Sequence, residues 1–210
     1  MERPAGGFGQ RVFAWAMAHN QNYERFASAY KQRLFAGLAG TVVELGPGTG
    51  TNLRYLDRET VRWIGIDPNP FMLPYLLGEA ARLGMTADCR IGTAYELPVE
   101  SESVDAVICT LVLCCIDDQQ RVLREVLRVL KPGGRFVFIE HVAAPEGSRL
   151  RRIQDFVAPV WKRLGDGCHP NRETGKELER AGFLTVEYER MTAPLPVVSP
   201  QIVGMARKAG

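Results

Sequence analysis

The stretch Thr41-Val-Val-Glu-Leu-Gly-Pro-Gly-Thr-Gly50 decides the fold of this chain. Its first five residues, Thr41 to Leu45, are mostly β-branched or apolar and predict a short buried strand. The three glycines that follow predict a turn in which backbone N–H groups can approach a ligand closely. Asn52 to Leu56 is expected to open a helix. A strand, a glycine turn and a helix N-terminus together predict a nucleotide-type site.

Two carboxylates limit the kinds of ligand that the predicted site can bind. Glu44 stands one residue before the first strand ends, where it would repel a pyrophosphate and attract an ammonium group. Asp67 ends the second predicted strand, about 20 residues after the turn, where a carboxylate can accept both ribose hydroxyls. Thr51 stands where the dinucleotide fingerprint requires its third glycine. The pattern suits an adenosine with a cationic amino-acid tail, S-adenosylmethionine; the alternative is an ordinary tight turn beside a solvated acid.

Composition limits the classes of protein to consider. A chain of 210 residues that is 46% hydrophobic predicts one domain, or one domain with an appendage. A net charge of +2 gives no electrostatic reason to expect nucleic acid as a partner. The five cysteines form neither a C-x-x-C pair nor a zinc spacing, so we expect reduced thiols, no metal and a cytoplasmic location. No signal segment is predicted, and the longest apolar stretch, Ala106 to Ile116, is too short for a transmembrane segment.

Strands alternate with helices along the chain, which predicts βαβ units and a largely parallel sheet. Strands are predicted at Thr41–Leu45, Val61–Ile66, Met85–Ile91, Val104–Thr110, Arg135–Glu140, Phe183–Arg190 and Val198–Arg207. Helices are predicted at Pro70–Leu83, Asp118–Leu130, Arg149–Leu164 with an interruption at Pro159, and Asn171–Ala181. Ahead of the first strand, Gln10 to Leu38 has helical periodicity with a break near Asn20–Asn22.

Further motifs carry a resemblance to a known superfamily. This chain resembles the class I S-adenosylmethionine-dependent methyltransferases at Glu44–Gly50, Gly65-Ile-Asp67, Leu97-Pro98, Ser103-Val-Asp105 and Glu125–Gly134. The methyltransferase-like 7 group, the thiol S-methyltransferases, is similar at Cys109–Cys114, Glu140-His-Val142, Trp161-Lys162, Gly165–Cys168 and Arg172-Glu-Thr174. The similarity runs from about Asn22 to Arg207.

The resemblance implies a Rossmann-like α/β fold, with a mostly parallel seven-stranded sheet, helices on both faces and an N-terminal helical lid. Residues 1–40 are expected to form a helical cap, and residues 41–210 a single methyltransferase domain. Animal members of the family carry an N-terminal membrane anchor, and we expect no such segment here. A monomer or weak dimer is expected.

The implied methyl donor is S-adenosylmethionine, which leaves as S-adenosylhomocysteine. Thr93-Ala-Tyr95, after the third strand, is similar to the family's adenine-contact position. Thr110 and Leu111 are expected beneath the methionine moiety, or else in the core. The candidate cofactor-binding residues are Glu44, Gly46, Pro47, Gly48, Gly50, Asn52, Asp67, Pro68, Asn69, Thr93, Ala94, Tyr95, Thr110 and Leu111.

Few ionisable groups are predicted to face the transferred methyl group. The candidate catalytic residues are His141, directly after the fifth strand, and Asp166 in the later loop. The candidate substrate pocket comprises Tyr23, Phe26, Tyr30, Cys168 and His169. Each of these residues also has a structural alternative: the aromatic residues recur at helical spacing, and the polar ones can order a loop.

The resemblance implies methyl transfer to the thiol of a small molecule. A free thiol has a pKa of about 8.5, so one imidazole suffices as a base, whereas an alcohol demands a stronger one. Acceptors left open are a quinone carbon, an amine, a hydroxyl or arsenite, and a non-catalytic nucleotide-binding module is the alternative of another class. A nucleic-acid methyltransferase would show an Asp/Asn-Pro-Pro-aromatic motif after the fourth strand, which this chain lacks.

Overall fold

Seven strands form one sheet in the structure, a computed structural model that describes Arg11 and residues 21–165 and 167–210. The strands are β1 (Gly40–Leu45), β2 (Val61–Asp67), β3 (Asp88–Ile91), β4 (Val104–Thr110), β5 (Leu130–His141), β6 (Thr185–Thr192) and β7 (Pro200–Arg207). Their order is β3-β2-β1-β4-β5-β7-β6. Pairing is parallel from β3 to β5, and β7 is antiparallel to both β5 and β6. The predicted mostly parallel, seven-stranded sheet is confirmed.

Helices connect these strands. The α-helices of the described segments 21–165 and 167–210 are α1 (Gln21–Phe35), α2 (Leu73–Leu83), α3 (Gln119–Val129), α4 (Arg149–Leu164) and α5 (Thr174–Arg180). In α3 the apolar residues recur on one face, and Val122, Leu123 and Val126 are fully buried. The Asp118 side chain accepts a hydrogen bond from the Arg121 backbone N–H and caps this helix.

The two faces of the sheet carry separate cores. Because side chains alternate along a strand, neighbouring residues of β1 point to opposite faces. Val43 packs in one core with Leu123 of α3. Val42 packs in the other core with Phe35 of α1 and Leu76 of α2. Helices therefore cover both faces, as the sequence predicts.

The strand order reverses where β1 lies beside β4. In open α/β sheets, ligands bind at such a point, in the crevice outside the carboxyl ends of the strands. Because β1, β2, β4 and β5 are parallel, their last residues lie at the same edge of the sheet. These residues are Leu45, Asp67, Thr110 and His141. The topology therefore brings together the segments in which the sequence places its candidate site.

The helix expected at Asn52 to Leu56 is wrong. One 3₁₀ turn, Leu53–Tyr55, forms there, and Leu56 already has an extended backbone with ψ of 141°. Leu53 and Leu56 are both buried, so the segment is held against the core. Asp57 then accepts a hydrogen bond from the Glu59 backbone N–H and turns the chain again. In the described part of the chain, the glycine turn is therefore followed by a 3₁₀ turn and not by the N-terminus of an α-helix.

Proline and glycine positions account for two other differences. Pro159 does not interrupt α4, because Asp155, whose carbonyl loses its helical partner, is exposed to water. Strand β5 begins at Leu130 rather than Arg135, since its pairing with β4 shifts register across Pro132-Gly-Gly134. Strand β3 and helix α5 each begin three residues later than predicted.

Candidate active site

The turn after β1 adopts a backbone conformation that favours glycine. Gly46, Gly48 and Gly50 have positive φ angles of 56°, 55° and 81°. A Cβ atom added to Gly48 would meet nothing within 4 Å, so this glycine faces open space. Its N–H donates to Oδ2 of Asp67 at 3.1 Å and ties the turn to the end of β2. Pro47 is buried within the turn.

The carboxylate of Glu44 accepts hydrogen bonds from two protein side chains. Its side chain is buried, and it accepts hydrogen bonds from Asn52 Nδ2 at 2.7 Å and Trp63 Nε1 at 2.9 Å. Desolvation raises the pKa of Glu44, and the two hydrogen bonds oppose that rise. Asn52 Nδ2 also donates to Thr110 Oγ1 at 3.1 Å, which orients the amide. Its Oδ1 atom is buried and has no hydrogen-bond partner.

Asp67 is held at the end of β2 by backbone donors. Its Oδ1 accepts a hydrogen bond from the Asn69 N–H at 2.8 Å, beside the bond from the glycine turn to Oδ2. Asn69 is buried and accepts from the Phe71 N–H at 3.0 Å. These two Asx turns fix the loop through the exposed Pro68 and aim the carboxylate at the carboxyl edge of the sheet.

The loop after β3 also reaches this edge. Thr93 is exposed and forms a bridge with Glu96, and Ala94 is half-buried. Tyr95 packs against the main core, and its hydroxyl accepts a hydrogen bond from the Asp117 N–H at 3.0 Å. The loop that follows β4 therefore donates a backbone hydrogen bond to the phenol of Tyr95.

Leu111 has a strained backbone. Its φ is 57°, a left-handed conformation that costs a residue with a β-carbon on the order of 1–3 kcal/mol. The N–H of Leu111 donates to Ile139 O at 2.8 Å, and its side chain packs with Tyr23 and Ala27 of α1. Such strain clusters at functional sites. The strained residue stands directly after Thr110, beside the reversal of strand order.

Glu140 holds the turn that follows β4. It is fully buried and accepts hydrogen bonds from the backbone N–H groups of Val112, Leu113 and Cys114 at 2.9, 3.0 and 3.3 Å. The thiol of Cys109 also points at it, at 3.3 Å. Desolvation raises the pKa of Glu140, and the backbone donors oppose that rise.

His141 and Cys168 form a buried polar pair. The Nε2 atom of His141 lies 2.9 Å from Sγ of Cys168, which comes from the loop after α4. Trp161 Nε1 donates to the same sulfur at 3.2 Å. The other ring nitrogen of His141, Nδ1, is buried and has no hydrogen-bond partner.

Two further cysteines complete this cluster. The side-chain donor atoms of Cys114, His141 and Cys168 all lie within 4.8 Å of one another, and Cys115 Sγ lies 3.7 Å from Cys114 Sγ. The neighbouring Cys114 and Cys115 side chains, and then His141, lower the pKa of Cys168 below its ordinary value. Its interactions with Cys115 and Cys168, together with burial, raise the pKa of Cys114. Of the cysteines in this group, Cys168 is the one whose pKa is lowered, and the pKa values of Cys114 and Cys115 are raised.

The remaining candidates of this loop lie apart from His141. The His169 side chain faces Asp117, with Nε2 3.4 Å from Oδ1, in a group that also contains Lys162. Desolvation lowers the pKa of His169. Its backbone N–H donates to Cys114 O at 2.9 Å and joins the loop to the cysteine turn. Asp166 lies outside the described residues.

Helix α1 covers the carboxyl edge of the sheet. Tyr23 is buried and its hydroxyl donates to Gln201 Oε1 at 2.8 Å. Phe26 and Tyr30, with ring centroids 5.8 Å apart, pack against Ile139 of β5. Tyr23 and Phe26 thus lie beside Leu111, and Phe26 and Tyr30 lie beside Ile139 of β5.

A polar network anchors the same helix. Lys31 is buried and donates to Glu24, which also accepts from the Tyr55 hydroxyl at 2.7 Å. Desolvation lowers the pKa of Lys31. The described part of the N-terminal segment is thus bonded to the turn after β1, while residues 12–20 lie outside the described residues.

Comparison with known proteins decides the family. Residues 43–138 match the methyltransferase domain model. The thiol S-methyltransferase TMT1B of Mus musculus is 40% identical over 207 residues, which cover 92% of this chain and 84% of that protein. The chain belongs to the thiol S-methyltransferase family. Thiol S-methyltransferase TMT1A of Homo sapiens is 41% identical over 181 residues, 83% of this chain and 74% of that protein.

A solved relative supports the fold of this methyltransferase. Geranyl diphosphate C-methyltransferase from Streptomyces coelicolor A3(2), solved with S-adenosyl-L-homocysteine, superposes with a TM-score of 0.70. That match covers 88% of this chain and 80% of that one at 17% identity.

The site fits S-adenosylmethionine, the methyl donor of the family. Oδ1 of Asn52 is a buried acceptor without a partner, of the kind that an ammonium group would satisfy. Open space at Gly48, whose N–H is bonded to Asp67, lets a ligand approach the turn. The chain thus offers two acceptors, Asn52 Oδ1 and the Asp67 carboxylate, beside the glycine turn.

Two residues of the methyltransferase, Glu140 and Trp161, entered the sequence analysis only as parts of motifs. Asn52 was among the candidate cofactor-binding residues, but its hydrogen bonds to Glu44 and Thr110 were not predicted. An acid in the apolar run Phe136-Val-Phe-Ile-Glu140 was the available signal for Glu140, because a buried carboxylate requires donors. The contact of Trp161 with Cys168 depends on the path of a loop that periodicity does not predict.

Proposed function

We propose that this methyltransferase transfers the methyl group of S-adenosylmethionine to the thiol of a small molecule. The observation that carries the proposal is His141, a buried imidazole at the carboxyl end of β5 with one unpartnered nitrogen. A thiol with a pKa near 8.5 requires no stronger base. The identity to TMT1A and TMT1B, both thiol S-methyltransferases by name, supports the same acceptor.

The carboxylates argue against an acceptor that needs a strong base. Glu44 and Glu140, the buried acids at this edge among the described residues, are each engaged by at least two hydrogen-bond donors. Neither has an oxygen turned toward His141 in these contacts. An alcohol, whose proton is far less acidic than that of a thiol, would have to be deprotonated by the imidazole alone.

The residues around the glycine turn would hold the cofactor. Asn52, oriented by Glu44 and Thr110, would accept the ammonium group, and Asp67 would accept the ribose hydroxyls. The loop of Thr93 to Tyr95 would contact the adenine. When bound, S-adenosylmethionine supplies an electrophilic methyl group on a positively charged sulfur.

The chain's own contribution to the reaction is placement and exclusion of water. Leu111, Tyr23 and Phe26 form an apolar wall beside Thr110, and such a wall favours a step in which a thiolate and a sulfonium neutralise each other. Holding the acceptor sulfur in line with the methyl group supplies much of the rate. His141 would accept the thiol proton.

We place the protein in the cytoplasm, with residues 1–40 as a cap that closes over the acceptor. The five cysteines are all free in the structure, which accords with a reducing compartment. Among the described residues, no helix combines the length and apolarity that crossing a bilayer requires. The aromatic residues of α1, of which Tyr23 is buried and Phe26 and Tyr30 half-buried, support the cap, because they lie against Leu111 and Ile139.

A matched pair of acceptors tests the proposal. Purified protein is incubated with S-adenosylmethionine and either a short alkyl thiol or the alcohol of the same carbon skeleton, and methylated product is measured by mass spectrometry. Methylation of the thiol and not of the alcohol is expected. Turnover of an alcohol, amine or quinone with none of any thiol would contradict the thiol assignment.

A further inference from the structure

Cys168 sits against the one ring nitrogen of His141 that has a partner. We propose that Cys168 is a positioning residue, which accepts a hydrogen bond from Nε2–H of His141 and so leaves Nδ1 as the bare nitrogen that takes the proton of the acceptor thiol. This inference rests on the proposed function, since it names the atom and the support of the proposed base.

Two ring nitrogens, Trp161 Nε1 and His141 Nε2, lie within hydrogen-bond distance of the Cys168 sulfur. Trp161 Nε1 donates to it at 3.2 Å, and an indole nitrogen can only donate. Cys114 Sγ lies within 4.8 Å of it but donates to Leu111 O at 3.5 Å. A sulfur that accepts a hydrogen bond from an indole N–H is stabilised as the thiolate, which has no proton to give. The proton of the 2.9 Å contact therefore belongs to Nε2 of His141.

The position of Cys168 is built into the fold. Trp161 lies near the end of α4, and the chain then turns back so that Cys168 N donates to Gly165 O at 3.0 Å. A Cβ atom added to Gly165 would lie 3.2 Å from Cys168 Cβ and 3.1 Å from Trp161 O, so the turn is tightly packed. The sulfur is consequently held between the helix and β5.

The free nitrogen is the second observation. Nδ1 of His141 is buried without a partner, so a proton on it would be a buried donor with no acceptor. With the proton on Nε2, Nδ1 carries a lone pair and can serve as a base. In serine proteases an aspartate orients a histidine in the same manner and stabilises the imidazolium that forms. Here a thiolate would take the place of the carboxylate.

The step balances in atoms and charge. The acceptor thiol gives its proton to Nδ1, and its sulfur forms a bond to the methyl carbon as the bond from that carbon to the sulfonium breaks. The electron pair of the broken bond stays on the departing thioether, S-adenosylhomocysteine. His141 is then an imidazolium paired with the Cys168 thiolate, and it returns its proton to solvent after the products leave.

The tautomer of His141 tests the inference without any turnover. The chain has three histidines, so ¹⁵N-histidine labelling gives three ring systems, and His141→Ala identifies the one of interest. In the ligand-free protein the ¹⁵N shifts should show a proton on Nε2 and none on Nδ1. Cys168→Ala should shift the population toward Nδ1–H, and Cys168→Ser, which keeps an acceptor, should restore most of the original state. Cys89→Ala, a cysteine of β3 outside the cluster, is the control.

Kinetics supply the second readout. Cys168→Ala should lower kcat for a thiol at pH 7 by about tenfold or more, with the defect shrinking by pH 9, where the thiol ionises unaided. Cys168→Ser should lie between that variant and the wild type.

Three results overturn the assignment. The first is a wild-type tautomer with the proton on Nδ1, and the second is a tautomer that Cys168→Ala leaves unchanged. The third is tight stoichiometric binding of Co²⁺ with sulfur-to-metal absorption bands, which would make Nε2 and Sγ metal ligands. If the tautomer is as expected but no thiol is methylated, the proposed function fails and the pairing of His141 with Cys168 stands.

Discussion

Asn52 Nδ2 donates to Oε1 of Glu44 at 2.7 Å, and this bond turns the Oδ1 atom of Asn52 to a buried position without a partner. The Glu44 carboxylate, which the sequence pattern identifies, therefore acts on the ligand through Asn52. Glu44 orients an amide, and the amide offers the acceptor. A buried acid with two fixed donors also keeps the end of β1 rigid beside the glycine turn.

Substitution of Glu44 should therefore weaken cofactor binding through Asn52. In Glu44→Gln, one of the two donors, Asn52 Nδ2 or Trp63 Nε1, meets an NH₂ group. The affinity for S-adenosylmethionine and for S-adenosylhomocysteine should fall by similar factors, because both carry the amine. Calorimetric titration of the two ligands measures this, with Trp63→Phe as the control that removes only the other partner. A loss confined to the sulfonium form would show that Glu44 senses the methyl centre.

Asp67→Ala should weaken S-adenosylmethionine binding by roughly 1.5–3 kcal/mol, the range for a hydrogen bond to a charged group. The carboxylate ends β2 at the edge where parallel-sheet ligands bind, and backbone donors from Gly48 and Asn69 already hold it in place. Calorimetry is again the measurement. Asp88→Ala, at the amino end of β3, is a matched control that should bind normally. Unchanged affinity in a folded Asp67 variant would remove this residue from the site.

The sequence predicted the sheet well because its signals are local. Apolar runs such as Val104–Thr110 reproduce the observed strand, and the glycines after β1 have the positive φ angles that their pattern requires. The helix expected at Asn52 failed because burial of Leu53 and Leu56, a tertiary effect, prevailed over local propensity. Periodicity reports which face of an element is apolar, and it carries no information on how a loop returns to the sheet.

Long-range polar contacts explain the incomplete prediction of the site. His141 was identifiable from its place after β5, yet its contact with Cys168 joins residues 27 positions apart. The contact of Glu140 with Val112 spans 28 positions. Such pairs depend on the register of β4 and β5 and on the turn after α4, which one sequence does not specify.

Glu140→Ala should destabilise the fold markedly. The change leaves the buried N–H groups of Val112, Leu113 and Cys114 without an acceptor, and each such group costs on the order of 1–3 kcal/mol. A loss of about 3 kcal/mol in the free energy of unfolding is expected from urea denaturation. Glu187→Ala, at an exposed carboxylate of β6, should change little. A variant of Glu140 as stable as the wild type would show that water replaces the carboxylate.

Glu140→Gln tests the pH dependence of the same group. Burial raises the pKa of Glu140 in the folded state above its value of about 4.3 in the unfolded chain. Between those two pKa values the folded state binds more protons than the unfolded state, so the wild type loses stability as pH rises through that window. The stability deficit of the glutamine variant relative to the wild type should therefore shrink between pH 4 and pH 7. A deficit that grows over this range would mean that the backbone donors outweigh desolvation.

Deletion of Met1 to Asn20 should spare cofactor affinity and raise KM for the acceptor. The residues after this point form α1, whose Phe35 and Ala27 are part of the core, so the truncated chain retains its packing. Calorimetry and steady-state kinetics measure the two constants. Deletion through Phe35 is the control and should abolish folding. If the shorter deletion also unfolds the protein, the first residues belong to the core and not to a cap.

The last prediction concerns the proton of the acceptor. If His141 deprotonates the thiol, His141→Ala should lower kcat at pH 7 by about 10²-fold or more, the low end for general-base catalysis. At pH 9 the thiol, with a pKa of about 8.5, is mostly ionised without help, so the defect should shrink. A thiol of lower pKa, such as an aryl thiol, should show a smaller defect at pH 7 for the same reason. A defect of equal size at both pH values and for both thiols would mean that His141 positions the acceptor and takes no proton.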